Sequence, residues 1–161
     1  MAILEIKKFK DPVLRKKCQE VKEITSEIEK LVFDMAETMK KYNGAGLAAP
    51  QVGISKRIIV VQPDLNGEIA GYINPRIIRK SLEKETDEEG CLSFPNVFIK
   101  IKRAKEVEIE AMDINGKKIR IKAEGLLARI LQHEIDHLDT ILFFDRLGLF
   151  EKLKFKLKKR I

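Results

Sequence analysis

The sequence predicts an α+β fold, in which helices and antiparallel strands occupy separate parts of the chain. Apolar residues recur at helical spacing near the N-terminus and again in the last third of the chain. Between these two regions, short segments alternate apolar and polar residues, as strands with one buried face do. The order is therefore helix, strands, helix and tail, which differs from the strand–helix alternation of a parallel sheet.

The first helix is predicted to follow the segment Ser26-Glu27-Ile28-Glu29, which has the pattern of a capping box. The apolar residues that would form its buried face are Ile28, Leu31, Val32, Met35 and Met39. This spacing continues to about Lys41, and Asn43-Gly44 is typical of a helix end.

Strands are predicted in four segments that follow. "RIIVV", residues 57–61, is a short apolar run of the kind buried on both faces. "VFIKIK" and "EVEIEAM" alternate, and Asn115-Gly116 after the latter predicts a hairpin into "KKIRIKA". A second helix is predicted over "EGLLARILQHEIDHL", residues 124–138, where Leu127, Ile130, Leu131 and Ile135 would share one apolar face.

The length of 161 residues allows one core to form without disulfide bonds, so we expect a single domain over residues 1–161. The N-terminal "MAILEIKKFK" has no apolar run typical of a signal peptide. No segment approaches the roughly 20 apolar residues of a membrane span. We therefore expect a cytoplasmic protein whose two cysteines, Cys18 and Cys91, are reduced.

The net charge of +7 is distributed unevenly along the sequence. Residues 151–161 carry six cations and one glutamate, which gives +5, and the other 150 residues supply +2. The basic character is thus expected to belong to the tail, where an acidic partner such as nucleic acid would bind.

Both histidines of the chain, His133 and His137, lie four residues apart in "QHEIDH". On a helix this spacing places them on the same face, where both imidazoles reach one metal ion. Glu134 would then reach a water molecule at that ion, which is the chemistry of the H-E-x-x-H motif. Two solvated histidines on a surface helix are the simpler alternative, because a working site also needs a third protein ligand.

Two residues could supply that third ligand. Glu151 is the only glutamate downstream, where many zinc peptidases of this motif place one, but it opens the basic tail. Cys91, in "EEGCLSFP", is framed by Gly90 and Pro95 in a segment expected to be a turn. A lone cysteine is more often a small buried residue, and we assign that structural role to Cys18.

The segment "GAGLAAPQVG", residues 44–53, matches the G-x-G-x-x-A dinucleotide fingerprint. That fingerprint works only between a strand and the start of a helix. Here a predicted helix precedes it and Pro50 follows at once, so we reject a nucleotide site. The segment is instead a loop of small residues that lets the backbone approach a ligand, and Gln51 at its end could donate to an oxyanion.

Taken together, "GAGLAAPQ", "EGCLS" and "QHEIDH" resemble the three motifs of the peptide deformylase family, in the family's order and at about its spacing. The similarity extends to "DPVLRKKCQEV" near the N-terminus and to Arg103. It implies antiparallel sheets packed around a central helix that carries the H-E-x-x-H motif. The implied activity is removal of the formyl group from the N-terminal methionine of nascent polypeptides, which releases formate.

The resemblance implies that Cys91, His133 and His137 bind a single metal ion. The ion would be Fe(II), which zinc, nickel or cobalt can replace, whereas the ligand types alone would indicate zinc. Glu134 would act as general base, and the Gln51 side chain with the Leu92 N–H would stabilise the oxyanion. The residues that would bind the substrate are Gly44, Gly46, Leu47, Glu89 and Gly90. Glu89 and Arg103 would pair behind the cysteine, or form an ordinary surface salt bridge.

One position departs from the family pattern. Where the family has D-H-L-x-G, this chain has Asp136-His137-Leu138-Asp139-Thr140. Glycine there suits a left-handed residue at a helix end, and a β-branched threonine does not. The departure concerns the local geometry of the cap and not the metal ligands.

The tail segment "KLKFKLKK" alternates, which by period alone favours a strand. In the tail as a whole, Phe150, Leu153, Leu157 and Ile161 also fall at helical spacing, and the family ends in a helix. We therefore expect a helix within residues 146–161, with this stripe packed on the domain and the lysines in water. Its charge suggests docking on the ribosome near the exit tunnel, with no membrane and no specific DNA as partners.

Two other functions compete with deformylation. One is a metallopeptidase that uses His133, His137 and Glu151. The other is a non-catalytic RNA-binding protein with a structural metal, although such a site would have no use for Glu134 or Gln51.

Overall fold

A computed structural model describes residues 2–64 and 66–160 of the chain. Its helices are α1 (Ser26–Lys41), α2 (Gly125–Leu138) and α3 (Leu149–Lys159). Its strands are β1 (Gly46–Ala48), β2 (Ile58–Val61), β3 (Ala70–Lys80), β4 (Lys84–Cys91), β5 (Phe94–Ala104), β6 (Glu106–Met112) and β7 (Lys118–Glu124). Short 3-10 helices span Pro12–Arg15, Ala49–Val52 and Phe143–Arg146.

The strands form two antiparallel sheets. One has five strands in the order β1-β2-β3-β6-β7, and the other is the hairpin β4-β5. α1 packs on one face of the five-stranded sheet and α2 packs on the other. Every residue of α2 from Ala128 to Leu138 is buried, so this helix lies at the centre of the molecule. The predicted α+β class is confirmed.

β2 shows how the apolar run 57–61 serves both faces of the sheet. Ile58 and Val60 point into the cluster around α1, whereas Ile59 and Val61 point into the cluster around α2. Alternation along a strand sends successive side chains to opposite faces, so a strand between two helices must be apolar throughout.

The first helix was predicted correctly in extent but not in its cap. The N-cap is Thr25, whose hydroxyl accepts a hydrogen bond from the Ile28 N–H, and Ser26 is already the first helical residue. The capping box predicted from Ser26 is therefore wrong by one position. The helix ends as predicted, because Asn43 takes a positive φ of 53° that no helical residue has.

The hairpin at Asn115-Gly116 is confirmed. It joins β6 to β7, and Gly116 supplies a φ of 81°. The Asp113 carboxylate accepts hydrogen bonds from the N–H groups of Asn115 and Lys117, which holds the turn.

α3 is a helix as predicted, although it begins at Leu149 and not at residue 146, and Ile161 lies outside the described residues. The orientation predicted for its apolar stripe is wrong. Phe150, Leu153 and Leu157 are 76%, 57% and 71% exposed. The helix is instead attached by Phe155, which stacks on Phe144 at 5.4 Å between ring centroids.

The ion pair Lys152–Asp145 at 2.9 Å explains that orientation. Lys152 and Phe155 lie three residues apart and so share a face of the helix, which turns the predicted stripe away from the domain. Within the part of the chain that the structure describes, no helix is long and apolar enough to cross a membrane.

The end of α2 forms a Schellman cap despite the threonine. The Ile141 N–H donates to the Asp136 carbonyl at 2.9 Å, and the Thr140 N–H donates to the His137 carbonyl at 3.3 Å. Thr140 takes the left-handed position with φ 63°. The cap therefore forms at the cost of a strained β-branched residue.

We expect Thr140→Gly to stabilise the protein by about 1 kcal/mol. The left-handed conformation costs an L-residue about 1–2 kcal/mol, and the greater entropy that glycine loses on folding offsets part of this gain. The midpoint temperature of thermal unfolding should rise by about 2–4 °C. Thr86→Gly, at an exposed position within β4, is the control and should lower it. A Thr140→Gly variant no more stable than the parent chain would show that the threonine is unstrained.

Candidate metal centre

α2 and the end of β4 bring together the three residues predicted as metal ligands. Cys91 is the last residue of β4, just before the turn at Leu92 and Ser93, so it lies at a strand end and not within the predicted turn. Potential ligand atoms of Cys91, His133 and His137 lie within 4.8 Å of one another.

The distance between two of these atoms suits a shared metal ion. The Cys91 Sγ lies 3.4 Å from the His137 Nε2. A tetrahedral site with ordinary metal–nitrogen and metal–sulfur bonds separates its ligand atoms by about 3.4–3.8 Å. A thiolate and two imidazoles are also a donor set common in protein metal sites. The Cys91–His133–His137 cluster therefore fits a single transition-metal ion with one position left open.

A buried carboxylate sets the orientation of His133. The Glu89 Oε1 lies 2.8 Å from the His133 Nδ1, which leaves the Nε2 of that ring directed at the cluster. This arrangement of carboxylate and imidazole fixes the tautomer and makes the ligand nitrogen more basic. For His137, burial and the neighbouring His133 lower the pKa, which favours the neutral form that a metal ligand needs.

Glu89 and Arg103 form a buried pair and not a surface salt bridge. Two hydrogen bonds of 2.8 and 2.9 Å join the guanidinium to the carboxylate, and both side chains are about 5% exposed. Burial alone would raise the pKa of Glu89, but hydrogen bonds from Arg103 and His133 outweigh it and lower that pKa. The carboxylate is therefore ionised and fully engaged.

Two members of this network were not anticipated from the sequence. Arg129 donates to the Glu89 Oε2 at 2.7 Å, and Asp136 accepts from Arg103 at 2.5 Å. Asp136 also pairs with Arg146 at the surface. On α2, Arg129 lies four residues before His133, and Asp136 lies one residue before His137. Their charged side chains in a helix expected to lie at the centre of the molecule were the signal that could have identified them.

Glu134 lies beside the cluster and is almost completely buried. Among the described residues, its Oε2 has no hydrogen-bond partner. Burial raises the pKa of Glu134 to about 7, an electrostatic interaction with His133 opposes that shift, and the Glu89 carboxylate adds to it. A buried carboxylate with one free oxygen is placed to accept a proton and to return it.

Gly46, on β1, lies against this carboxylate. A Cβ added at Gly46 would come within 2.5 Å of the Glu134 Oε1 and within 2.8 Å of its Cγ. Only glycine therefore allows β1 and α2 to approach this closely. The two motifs that contain these residues are coupled by direct contact.

We expect Gly46→Ala to reduce turnover by about 10–100-fold while the fold is kept. The added methyl group must displace the Glu134 side chain, and a misplacement of about 1 Å can cost two orders of magnitude. Gly148→Ala, where the nearest heavy atom to an added Cβ is 4.0 Å away, is the matched control and should retain full turnover. Formate release from a short formyl-methionyl peptide, the substrate that the motif resemblance implies, would measure both. Full activity of Gly46→Ala would mean that the Glu134 position is not critical.

Gln51 reaches the cluster from the short 3-10 helix Ala49–Val52. Its Oε1 accepts the Ala48 N–H at 2.8 Å, which turns its amide nitrogen towards the Cys91 Sγ at 3.4 Å and the Ser93 hydroxyl at 3.3 Å. The amide thus presents a donor beside the metal ligands. Ser93 is a further residue that the sequence analysis did not select.

A cleft of about 520 Å³ opens onto the cluster. Of the remaining predicted site residues, Gly44, Gly46, Gly90 and Leu92 line it, and Leu47 is fully buried in the core beneath β1. Glu151, the ligand of the alternative peptidase, is exposed on α3 and is not part of the cluster. Cys18 is buried and unpaired with Cys91, in agreement with the structural role assigned to it.

Comparison with known proteins gives a family to this geometry. The family model described as polypeptide deformylase matches residues 3–153. The chain belongs to the polypeptide deformylase family. Peptide deformylases are metal-dependent enzymes that remove the N-formyl group from nascent polypeptides, so the predicted function and enzyme class are confirmed and the peptidase alternative is not favoured.

Individual relatives cover nearly the whole chain. The peptide deformylase of Thermodesulfovibrio yellowstonii is 50% identical over 99% of this chain and all of its own length. Among solved structures, the peptide deformylase of Thermus thermophilus superposes with a TM-score of 0.93 at 38% identity, covering 98% of this chain and 93% of that chain. The deformylase of Synechococcus elongatus, solved in complex with actinonin, has a TM-score of 0.91 at 39% identity, with 99% and 89% covered.

Proposed function

We propose that Cys91, His133 and His137 hold one Fe(II) ion, for which zinc, nickel or cobalt can substitute, and that the surrounding residues deformylate methionyl N-termini. The support is the convergence of the three ligand atoms within 4.8 Å beside a buried carboxylate. When bound, such an ion acts as a Lewis acid that makes water acidic enough to lose a proton near neutral pH.

Glu134 moves the proton in this proposal. Its free carboxylate oxygen takes a proton from the attacking water as the oxygen adds to the formyl carbon. The same carboxyl group then gives the proton to the nitrogen of the breaking C–N bond. Formate and a free amine leave, and the carboxylate is restored.

Gln51 and Leu92 stabilise the oxyanion that forms in this step. The Gln51 amide nitrogen already lies 3.4 Å from the Cys91 sulfur, next to the reacting centre. Leu92 follows that cysteine in the chain and lines the cleft, so its N–H is the second donor in the proposal. Donors fixed in this way need no reorganisation when the negative charge develops on the oxygen.

The substrate backbone binds along the open edge of β1. The Ala45 carbonyl accepts the Gln62 N–H, and peptide groups alternate along a strand, so the N–H and C=O of Gly46 point away from β2 towards the cleft. An extended peptide can add there as a further strand. Gly44 and Gly90 leave room beside it, and Leu126 and Ile130 offer an apolar wall to the methionine side chain.

Two predicted substrate residues have indirect roles in this proposal. The Glu89 carboxylate is fully engaged by Arg103, Arg129 and His133, so it would orient the metal ligand and not contact the peptide. Leu47 would anchor β1 from within the core. Since nascent chains are made in the cytoplasm, a cytoplasmic location is part of the proposal.

The proposal is tested by metal analysis and a formate-release assay on protein purified without oxygen. We expect one iron per chain and hydrolysis of formyl-methionyl peptides, with no cleavage of internal peptide bonds. Activity of the iron form should decay in air, because Fe(II) and the Cys91 sulfur are both oxidisable, and nickel should preserve it. Equal air stability of the two forms would contradict Fe(II) as the vulnerable species, and internal cleavage would contradict deformylation.

We further propose that α3 docks on the ribosome near the exit tunnel. Its lysines are exposed or half-buried, and the stripe of Phe150, Leu153 and Leu157 is exposed as well. An amphipathic basic helix with an uncovered apolar face suits a partner that offers both phosphate charge and a protein groove.

Charge reversal at Lys154, Lys156, Lys158 and Lys159 tests this docking. Co-sedimentation with ribosomes should be lost, and turnover of a short formyl-methionyl peptide should be retained, because α3 lies outside the cleft. A second variant, with Phe150, Leu153 and Leu157 changed to serine, should also weaken binding. Unchanged co-sedimentation of the lysine variant at low salt would exclude the tail as the docking element.

A further inference from the structure

A second basic surface lies on the domain itself, away from the tail. Three adjoining depressions cover the face formed by the segment after the first 3-10 helix, one side of β3 and the C-terminal end of α2. We call this surface the basic groove. Its cationic residues are Lys16, Lys17, Lys22, Lys56, Arg57, Arg76, Arg79, Lys80 and Arg146.

The charge of the basic groove is far higher than the sequence suggests. Its lining contains nine cations and only three acids, which are Glu20, Asp136 and Asp139, so it carries +6. The whole chain has a net charge of +7, of which residues 151–161 hold +5. The residues outside both the groove and the tail therefore carry a net negative charge. The modest +2 counted outside the tail conceals a strong separation of charge.

Most of these cations are free to bind an anion. Arg57 pairs with Asp139 at 2.7 Å, and Arg146 and Arg76 also have acidic partners. Among residues 2–64 and 66–160, no hydrogen bond or ion pair engages the side chains of the remaining six, which are Lys16, Lys17, Lys22, Lys56, Arg79 and Lys80. At Lys80, burial and the charge of Arg146 lower the pKa of the ammonium group. A bound anion would relieve that repulsion.

The lining also indicates which anion fits. No aromatic side chain lines any of the three depressions, so the groove offers no platform on which bases could stack. Apolar insertion into a membrane is equally unsupported, since the large apolar residues there, Ile54 and Ile78, are only 37% and 38% exposed. What remains is an elongated array of guanidinium and ammonium groups, which suits a row of phosphates.

We propose that the basic groove binds the phosphate backbone of double-helical RNA without reading its bases. Phosphate contacts fix position and register on a duplex but carry no sequence information. RNA is the fitting source because the family's substrate is the nascent chain, which emerges from an RNA-rich particle. The groove shares no lining residue with the cleft, so the chain can hold RNA and substrate together.

Charge reversal at Lys17, Lys56, Arg79 and Lys80 tests the proposal. The control variant reverses four exposed lysines outside the groove, namely Lys100, Lys102, Lys117 and Lys118, and so has the same net charge. Binding of the full chain to a fluorescent RNA duplex of about two helical turns would be followed by anisotropy between about 50 and 200 mM salt.

We expect the groove variant to bind the duplex at least about tenfold more weakly than the control, and its logarithmic salt slope to be smaller by about 3. Turnover of a short formyl-methionyl peptide should be unchanged in both variants, so failure here would leave the deformylase function untouched. Equally weakened RNA binding in both variants would show that net charge, and not the groove, determines binding, and the proposal would be wrong. Loss of duplex binding on reversal of the tail lysines alone would overturn it in favour of α3.

Two further arms identify the ligand. A DNA duplex of the same sequence should lose affinity through the same four substitutions, because the groove contacts phosphates alone. If the substitutions weakened RNA binding and left DNA binding unchanged, phosphate-only contact would be wrong. Binding of the protein to vesicles of anionic phospholipid should be weakened no more in the groove variant than in the control variant. If the groove variant lost vesicle binding and kept RNA binding, the surface would be a membrane site and the proposal would be wrong.

Discussion

Glu134→Ala should lower the turnover of a formyl-methionyl peptide by about a thousandfold while the bound metal stays near one ion per chain. General acid–base catalysis by a placed side chain contributes about 10²–10⁴ in rate. The metal should remain because the ligand atoms belong to Cys91, His133 and His137, and Glu134 is not needed to complete the cluster.

Two measurements make this expectation specific. Metal content and formate release would be determined on the same preparation. Loss of a base removes activity and leaves the metal bound, whereas loss of a ligand removes both. Glu29→Ala, which removes an exposed carboxylate from α1, is the control and should change neither. Stoichiometric loss of metal from the Glu134 variant would make that residue a ligand and contradict the proposed mechanism.

Arg103→Met should destabilise the metal-loaded protein by about 3 kcal/mol. The substitution keeps the volume but removes the shared partner of Glu89 and Asp136, which are 6% and 5% exposed. Removing one partner of a buried ion pair typically costs about 3–5 kcal/mol, because the charge left behind is uncompensated. Arg129, His133 and Arg146 still contact the two acids, which places the expected loss at the lower end.

The matched control is Arg120→Met on β7. Arg120 also contacts two acids, Glu108 and Glu110, but its side chain is 61% exposed. Exposed pairs contribute about 0–1 kcal/mol, so little change is expected. Unfolding in urea of both variants would give the comparison. A similar loss in the two would mean that burial of the Arg103 network adds nothing to stability.

The ligand-bearing helix was the most predictable part of the molecule. Four apolar residues at helical spacing located α2, and the i, i+4 histidines on it could be assigned a common ion from geometry alone. The third ligand could not be decided in that way. Cys91 and Glu151 were both open, and of these two the folded chain brings Cys91 beside the histidines.

β4 itself was not predicted as a strand. Its sequence, "KETDEEGC", has no apolar alternation, and most of the strand is exposed. It is a strand because it pairs with β5 from Lys84 to Cys91, a long-range reason that no local pattern contains. The burial of Glu89 could not be predicted for the same reason. An acid within an acidic run is expected to be exposed to solvent.

The error in α3 has a different origin. The spacing of Phe150, Leu153 and Leu157 correctly indicated a helix but not which side of it contacts the domain. Phe155 and Lys152 form that contact through Phe144 and Asp145, which lie in the preceding 3-10 helix. A single aromatic pair and one ion pair thus decide an orientation against three apolar residues.

The open edge of β1 has a consequence for the behaviour of the protein in a crowded cell. An unpaired strand edge invites other chains to add to it, and such edges are a common origin of aggregation. β1 is only three residues long, lies in a cleft, and is followed at once by a 3-10 helix that begins with Ala49 and Pro50. A single extended peptide can enter the cleft and pair with β1, whereas the edge of a multi-stranded sheet cannot. The molecule can therefore keep a permanently receptive strand without recruiting copies of itself.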